Sequence, residues 1–470
     1  MNRSYLAALA LLALGLGIWA GSSHSAPATG NDWTRFGWSP ARTGAPTFST
    51  GITSSNLELL HRQQVQLPGT ADSSPIYLHA VQVGGATHDA FFVTTTYGKT
   101  VAVDAASGRI LWTFTPPGYA SWAGSPQITT ATPVADPSRR FVYAASPGGA
   151  IYKLAVADGR AVWGVSITKL PSREKIAASL NYANGHVIAT TGGYIGDAPP
   201  YQGHVAIVSA AGKVLHVWNS LCSNRRGLIV PSSCDASDSA IWGRAGAVVD
   251  PANGQLLVAT GNGPWNGTTN WGDAVIRLDA NATRIVGNYT PTNTDELDST
   301  DADLGSTSPF LLGSGYVGQG GKDGKIRVLS VKRMTGAKAH KGGEVSVTST
   351  PSGTDLFTAP AVVRTASGAR VYAADNGGTA AYRLRDGHLA VVWRNGTGGT
   401  SPIVAGGLLY VYSPGGGLNV YTLTGRRVAT LDCGAGHWNS PIVVDRRIAL
   451  PEGNANDHLT TGVLDIWRLG

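Results

Sequence analysis

The chain has 470 residues, a formal net charge of +7, 62 glycines, 42% hydrophobic and 14% charged residues. An ordinary apolar fraction at this length excludes a disordered chain. The basic residues occur as scattered doublets (Arg139-Arg140, Arg225-Arg226, Arg426-Arg427, Arg446-Arg447) with no basic run or nucleic-acid motif. They read as solvated turns, and nucleic acid is excluded as a partner.

The first 28 residues, "MNRSYLAALALLALGLGIWAGSSHSAPA", combine Arg3, an apolar run from Leu6 to Ala20 and the small-x-small segment Ala26-Pro27-Ala28. This pattern predicts a signal peptide over 1–28, hence an exported protein, periplasmic or secreted. An uncleaved N-terminal anchor is the alternative, although the apolar run is short for a full span. No Cys follows the run to carry a lipid, and no later segment has the length and apolarity to cross a membrane.

Residues 29–470 contain no long stripe of helical period. Abundant glycine and few charges predict an all-β protein of many short strands. "NLELLHRQQVQL" (56–67) reads as one strand standing before any repeat. "TYGKTVAVDAASGRILW" (96–112) then reads as a hairpin: an alternating strand, a Ser-Gly turn and a second strand ending on Trp112. The unit recurs in "IYKLAVADGRAVW" (Trp163), "HVAIVSAAGKVLHVW" (Trp218) and "TAAYRLRDGHLAVVW" (Trp393), and in "LNVYTLTGRRVATL" with Leu431 in the Trp position.

Between these hairpins a small residue and Pro open a further apolar strand, at Pro75, Pro133, Pro309, Pro360, Pro402 and Pro441. "AASLNYANGHVIAT" and "AGAVVDPANGQLLVAT" occupy the same place without Pro. Proline is tolerated where a strand begins because no ladder hydrogen bond is lost there. Eight units at this spacing, each with about four strands, predict an eight-bladed β-propeller. The Trp residues are then wedges between blades. The last unit supplies three strands, so the spare N-terminal strand is expected to complete it and close the ring.

Of three cysteines, Cys222 and Cys234 flank "CSNRRGLIVPSSC". In an exported protein they are expected to form a disulfide, with two free thiols as the alternative. Cys433 is left over as a small buried hydrophobe. The absence of Cys-x-x-Cys-His excludes covalently attached haem.

The strand–"DAASGRILW" repeat resembles that of quinoprotein propellers, built like pyrroloquinoline quinone (PQQ)-dependent alcohol dehydrogenases, over nearly all of the chain after residue 28. The same propeller also serves as a non-catalytic scaffold. The resemblance implies roles for particular residues. Trp242 in "IWGRAGAVVDP" stands where that family has the floor under the quinone. Asn262 in "ATGNGPWNG" stands at a calcium ligand. Asp298 in "TDELD" stands at the calcium ligand and catalytic base, with Asp303 in "DADLGSTSP" competing for the role. Lys322 in "GGKDGKIRVL" stands at the cation that polarises the quinone.

Hard carboxylate and amide oxygens suit Ca²⁺. A carboxylate base and a cation beside the quinone oxygen suit hydride removal from an alcohol. Each residue also has a structural reading: Asn262 as a turn residue, the Asp cluster as a solvated loop, Lys322 as an exposed charge. The family's adjacent cysteine pair, its calcium-binding Glu and its carboxylate-binding Arg have no counterparts here.

The C-terminal run "GHWNSPIVVDRRIALPEGNANDH" holds His437, Trp438, Asn439, Glu452, Asn454 and His458. It reads as polar cross-bonding in the closing blade or as a second ligand site at the channel mouth. Two functional expectations follow. The first is a module that binds a small molecule or protein at the channel mouth without redox chemistry. The alternative is a PQQ- and calcium-dependent alcohol dehydrogenase.

Overall fold

A computed structural model describes residues 31–366 and 368–470, so the expected signal segment lies outside the described residues. The described residues form eight antiparallel sheets of four strands each. Blade 1 covers 76–114, blade 2 134–166, blade 3 181–219, blade 4 248–289, blade 5 310–349, blade 6 361–395 and blade 7 403–431. Blade 8 takes three strands from 442–469 and its fourth, outermost strand from Leu60–Leu67. That strand pairs antiparallel with Gly462–Leu469, from Leu60 opposite Leu469 to Leu67 opposite Gly462. The expected closure is therefore present, and it brings the last blade to the four strands of the others.

The core lies between blades. Strand residues alternate sides, so Phe92 and Ala102 face blade 2 with Val142 and Leu154, whereas Phe91, Val93 and Val101 face the closing blade with Ile448 and Leu464. The Trp wedges act through the glycine turn of the next blade. A Cβ on Gly159 would lie 2.5 Å from the Trp112 ring, one on Gly212 2.7 Å from Trp163, and one on Gly425 2.7 Å from Trp393. Each indole donates to a carbonyl of the following blade: Trp112 to Val156 O at 2.9 Å, Trp163 to Ala210 O at 3.0 Å and Trp393 to Leu423 O at 3.0 Å. Burying one such ring is worth about 5 kcal/mol of gross transfer free energy. The glycine of the "DGR" and "TGR" turns thus supplies both a positive φ and room for a neighbour's indole.

Residues 33–52 run across the inner strands. Their carbonyls accept from Ala135 (Thr34 O, 2.9 Å), Val249 (Pro40 O, 3.0 Å), Val362 (Thr43 O, 2.7 Å), Val404 (Gly44 O, 2.9 Å) and Arg446 (Thr50 O, 2.7 Å). Arg42, only 3% exposed, donates to Phe36 O at 2.7 Å and Leu180 O at 2.8 Å. One segment therefore ties blades on opposite sides of the ring. Nothing in its local sequence pattern announces this.

Cys222 and Cys234 are disulfide-bonded, and Cys433 is free and buried. Among the described residues, no helix is long and apolar enough to cross a membrane.

Candidate functional site

The loops that lead into the inner strands of blades 3, 4, 5 and 8, together with the loops between the second and third strands of blades 3, 4 and 5, line a pocket of about 240 Å³. Trp242, Asn262, Asp303 and Lys322 all line it. Asp298 does not: it lies exposed on the short helix Thr294–Ser299, and Asp303 is the carboxylate that enters the site. Asp303 is 3% exposed. Its Oδ1 accepts from the Asn262 backbone N–H at 2.7 Å, and its Oδ2 lies 2.6 Å from Lys322 Nζ. Lys322 also reaches Asp301 at 3.0 Å and sits 5.7 Å from the Trp242 ring centroid.

This packing requires glycine at 261, because a Cβ there would collide with the Asp303 carboxylate. Burial pushes the Asp303 carboxyl upward, against the pull of Lys322 and the Asn262 N–H. Burial would lower Lys322, but Asp303 and Asp301 outweigh it and raise it. Behind the pair, fully buried Asp273 is pushed up to about 8, mainly by burial.

The other wall is aromatic. Trp242 and Trp438 stack with centroids 5.6 Å apart and planes at 25°, and His437 stacks on Trp438 at 4.3 Å and 18°. Phe357 lies beside both indoles, 5.9 Å from Trp242 and 6.2 Å from Trp438. Asp72 holds this wall in place. It is 1% exposed and accepts from His437 Nδ1 at 2.7 Å, Trp438 N at 2.9 Å and Ala455 N at 3.2 Å. Burial would raise its carboxyl, but the bond and charge of His437, the charge of Arg244 and the Trp438 N–H hold it below the usual range. Arg244, 1% exposed, donates to Thr130 O at 3.0 Å and Asp72 O at 2.9 Å, and its guanidinium lies 5.6 Å from the Trp438 ring.

Asp72, Arg244, Phe357 and the pocket residue Lys175 carry no sequence motif. Only the position of Arg244, two residues after Trp242, could have drawn notice.

The C-terminal polar run divides. Trp438 lines the pocket, and His437 joins Asp72. Asn439 is fully buried and accepts from His437 N at 2.9 Å. Glu452 belongs to the blade closure, 3.0 Å from Arg62, which also binds Asp465 at 2.8 Å. Asn454 caps the turn Ala455–Asp457 by accepting from Asn456 N at 3.0 Å, and His458 ends that turn in a left-handed conformation.

A family model described as outer membrane protein assembly factor BamB matches residues 26–227. No curated protein matches the chain in sequence. Solved structures match it in fold. Quinohemoprotein alcohol dehydrogenase from Comamonas testosteroni superposes with a TM-score of 0.68 at 14% identity, over 93% of this chain and 80% of the other. A europium-containing methanol dehydrogenase gives 0.68 at 13%, over 93% and 98%. BamB from Moraxella catarrhalis gives 0.52 at 14%, over 87% and 98%. The chain is thus a quinoprotein-like β-propeller, with the architecture of PQQ-dependent dehydrogenases and of BamB alike. At these identities the likeness fixes the fold.

Calcium needs six to eight oxygen ligands. Here both oxygens of Asp303 are engaged, one by a backbone N–H and the other by the Lys322 ammonium, which already supplies the local positive charge. Among the described residues no three His, Cys, Asp or Glu side chains come together to hold a metal ion. In this arrangement neither Asp303 oxygen is left free for a metal ion. A trianionic tricyclic quinone would also meet a pocket below the roughly 300–1,000 Å³ usual for drug-sized ligands.

Proposed function

We propose that the protein is exported and acts as a binding propeller, taking a small ligand between its aromatic and charged pocket walls without redox chemistry. The observation that carries this reading is the Lys322 ammonium, 2.6 Å from Asp303 and 3.0 Å from Asp301, where a catalytic metal would need free carboxylate oxygens. The likeness to BamB, an assembly factor, supports a role for this fold outside dehydrogenation. The disulfide supports an oxidising compartment. A second reading, a PQQ-dependent alcohol dehydrogenase, is favoured by the meeting of Trp242, Asn262, Asp303 and Lys322 in one pocket.

Calorimetric titration with PQQ, with and without Ca²⁺, followed by a dye-linked alcohol oxidation assay, separates the two. The binding reading expects no calcium-dependent PQQ uptake and no dye reduction. Reconstituted alcohol oxidation that is lost in Asp303→Asn would overturn it.

A further inference from the structure

Lys175 is a pocket residue to which the ion pair and the indole wall give no task. Its backbone is fixed by two bonds with Gly192, N to O at 2.7 Å and O to N at 2.9 Å. Its side chain lines the pocket and the residue is 7% exposed. Among the described residues its ammonium has no hydrogen-bond or ion-pair partner. Buried charge is rarely left in this state, because the lost hydration must be replaced by a counter-charge or by hydrogen bonds. The same pocket offers two indoles, Trp242 and Trp438, as an apolar wall.

We infer that Lys175 anchors the carboxylate of a small, flat organic acid of one or two rings lying against Trp242 and Trp438. This rests on the binding reading above and names its ligand class. The volume of about 240 Å³ sets the size. The sign and number of charges follow from the walls. Among the described residues Lys175 is the one unpaired cation lining the pocket, whereas Asp197, Asp301 and Asp303 line other walls and disfavour a multiply charged anion. Indoles and a single ammonium together suit a monoanion on an aromatic body.

The ammonium is also poised to report its own use. Burial lowers Lys175 to about 8, with Asp72 opposing and Arg244 adding to the effect. Besides these two groups, Lys322, Tyr194, Tyr201 and the three pocket carboxylates face the same space. A lysine variant is therefore needed to isolate its titration.

The test measures tryptophan fluorescence and calorimetric binding of three probes: naphthoate, naphthalenesulfonate and neutral naphthylmethanol. Naphthoate is expected to bind at least tenfold more tightly than the alcohol. Its affinity should fall about thirtyfold between about pH 6.5 and about pH 9.5, as a group near 8 loses its proton. Lys175→Met should erase both the preference for naphthoate over the alcohol and the pH dependence. Asp273, pushed up to about 8, shares this pH window, so a second variant guards the assignment: Lys175→Arg, whose guanidinium stays charged to about pH 9.5, should keep the naphthoate preference and lose the pH dependence, and a pH profile retained in it overturns the anchor. Naphthoate binding that keeps its pH profile in Lys175→Met overturns the anchor but leaves the binding reading standing. Equal binding of naphthoate and the alcohol also overturns the anchor, and equal binding of the sulfonate overturns the carboxylate assignment. Failure of all three probes to bind overturns the pocket reading together with the anchor.

Discussion

Replacing Lys175 by Met in the ligand-free protein should stabilise it. The substitution keeps an unbranched side chain, one heavy atom shorter, and removes a buried charge. A fall from 10.5 to about 8 corresponds, at about 1.4 kcal/mol for each pH unit, to roughly 3 kcal/mol by which the fold disfavours the ammonium. Below about pH 8 the amine is charged in both folded and unfolded chains, so the whole penalty applies. Between about 8 and about 10.5 the unfolded chain binds more protons than the native one, and wild-type stability recovers as pH rises. Above about 10.5 both states are neutral and the penalty is gone.

The variant should therefore be more stable by roughly 3 kcal/mol at neutral pH, with the gap closing toward high pH. For 470 residues at ~2.1 cal/mol/K each, the unfolding entropy is ~1 kcal/mol/K, so the gap in Tm is about 3 °C at pH 7. Paired thermal melts at several pH values give the difference directly, and the titrations of all other groups cancel in it. A variant less stable than wild type at pH 7, or a gap that stays constant to pH 10, would refute the reasoning. Either result would mean that the ammonium has a partner in the folded protein.

Three further outcomes are expected. Cys222→Ser should cost on the order of 3 kcal/mol in urea unfolding, because the bridge closes a loop of about a dozen residues in the unfolded chain; peptide mapping of unreduced protein should show that bridge with Cys433 alkylatable only after unfolding. Trp112→Ala should cost about 3–5 kcal/mol by opening the contact between blades 1 and 2, and Gly159→Val should reproduce the loss by forcing a Cβ into the same ring; unchanged melting of both variants would refute the wedge. Burial, and then Glu452, push Asp465 up to about 7 against Arg62, so the native state binds more protons than the unfolded one between about 4 and about 7 and loses stability across that range; the Tm of Asp465→Asn relative to wild type should therefore rise from pH 5 to pH 8, and a flat difference would count against a carboxylate whose burial outweighs its Arg62 partner.

The sequence alone determined the eight blades, the closing role of a strand within residues 56–67 and the disulfide. These features are written in local pattern. A hairpin needs its glycine turn, an inner strand its entering proline, and a repeat its indole, and each signal lies within one unit of the chain. Trp242, Asn262 and Lys322 came to notice through the family resemblance that their short motifs carry.

Tertiary structure alone decided which carboxylate joins them. Asp298 and Asp303 are five positions apart and chemically alike, but a short helix turns Asp298 outward while the turn entering blade 5 sends Asp303 inward. Only ring closure could bring Asp72 to His437, 365 residues away, or leave Lys175 facing a cavity with no ion-paired or hydrogen-bonded partner for its ammonium among the described residues. Burial and partnership are properties of the assembled blades, and the energies of these charged groups are set by both. The repeat therefore specifies the scaffold, and the chemistry of the pocket follows from side chains that meet only once the scaffold has closed.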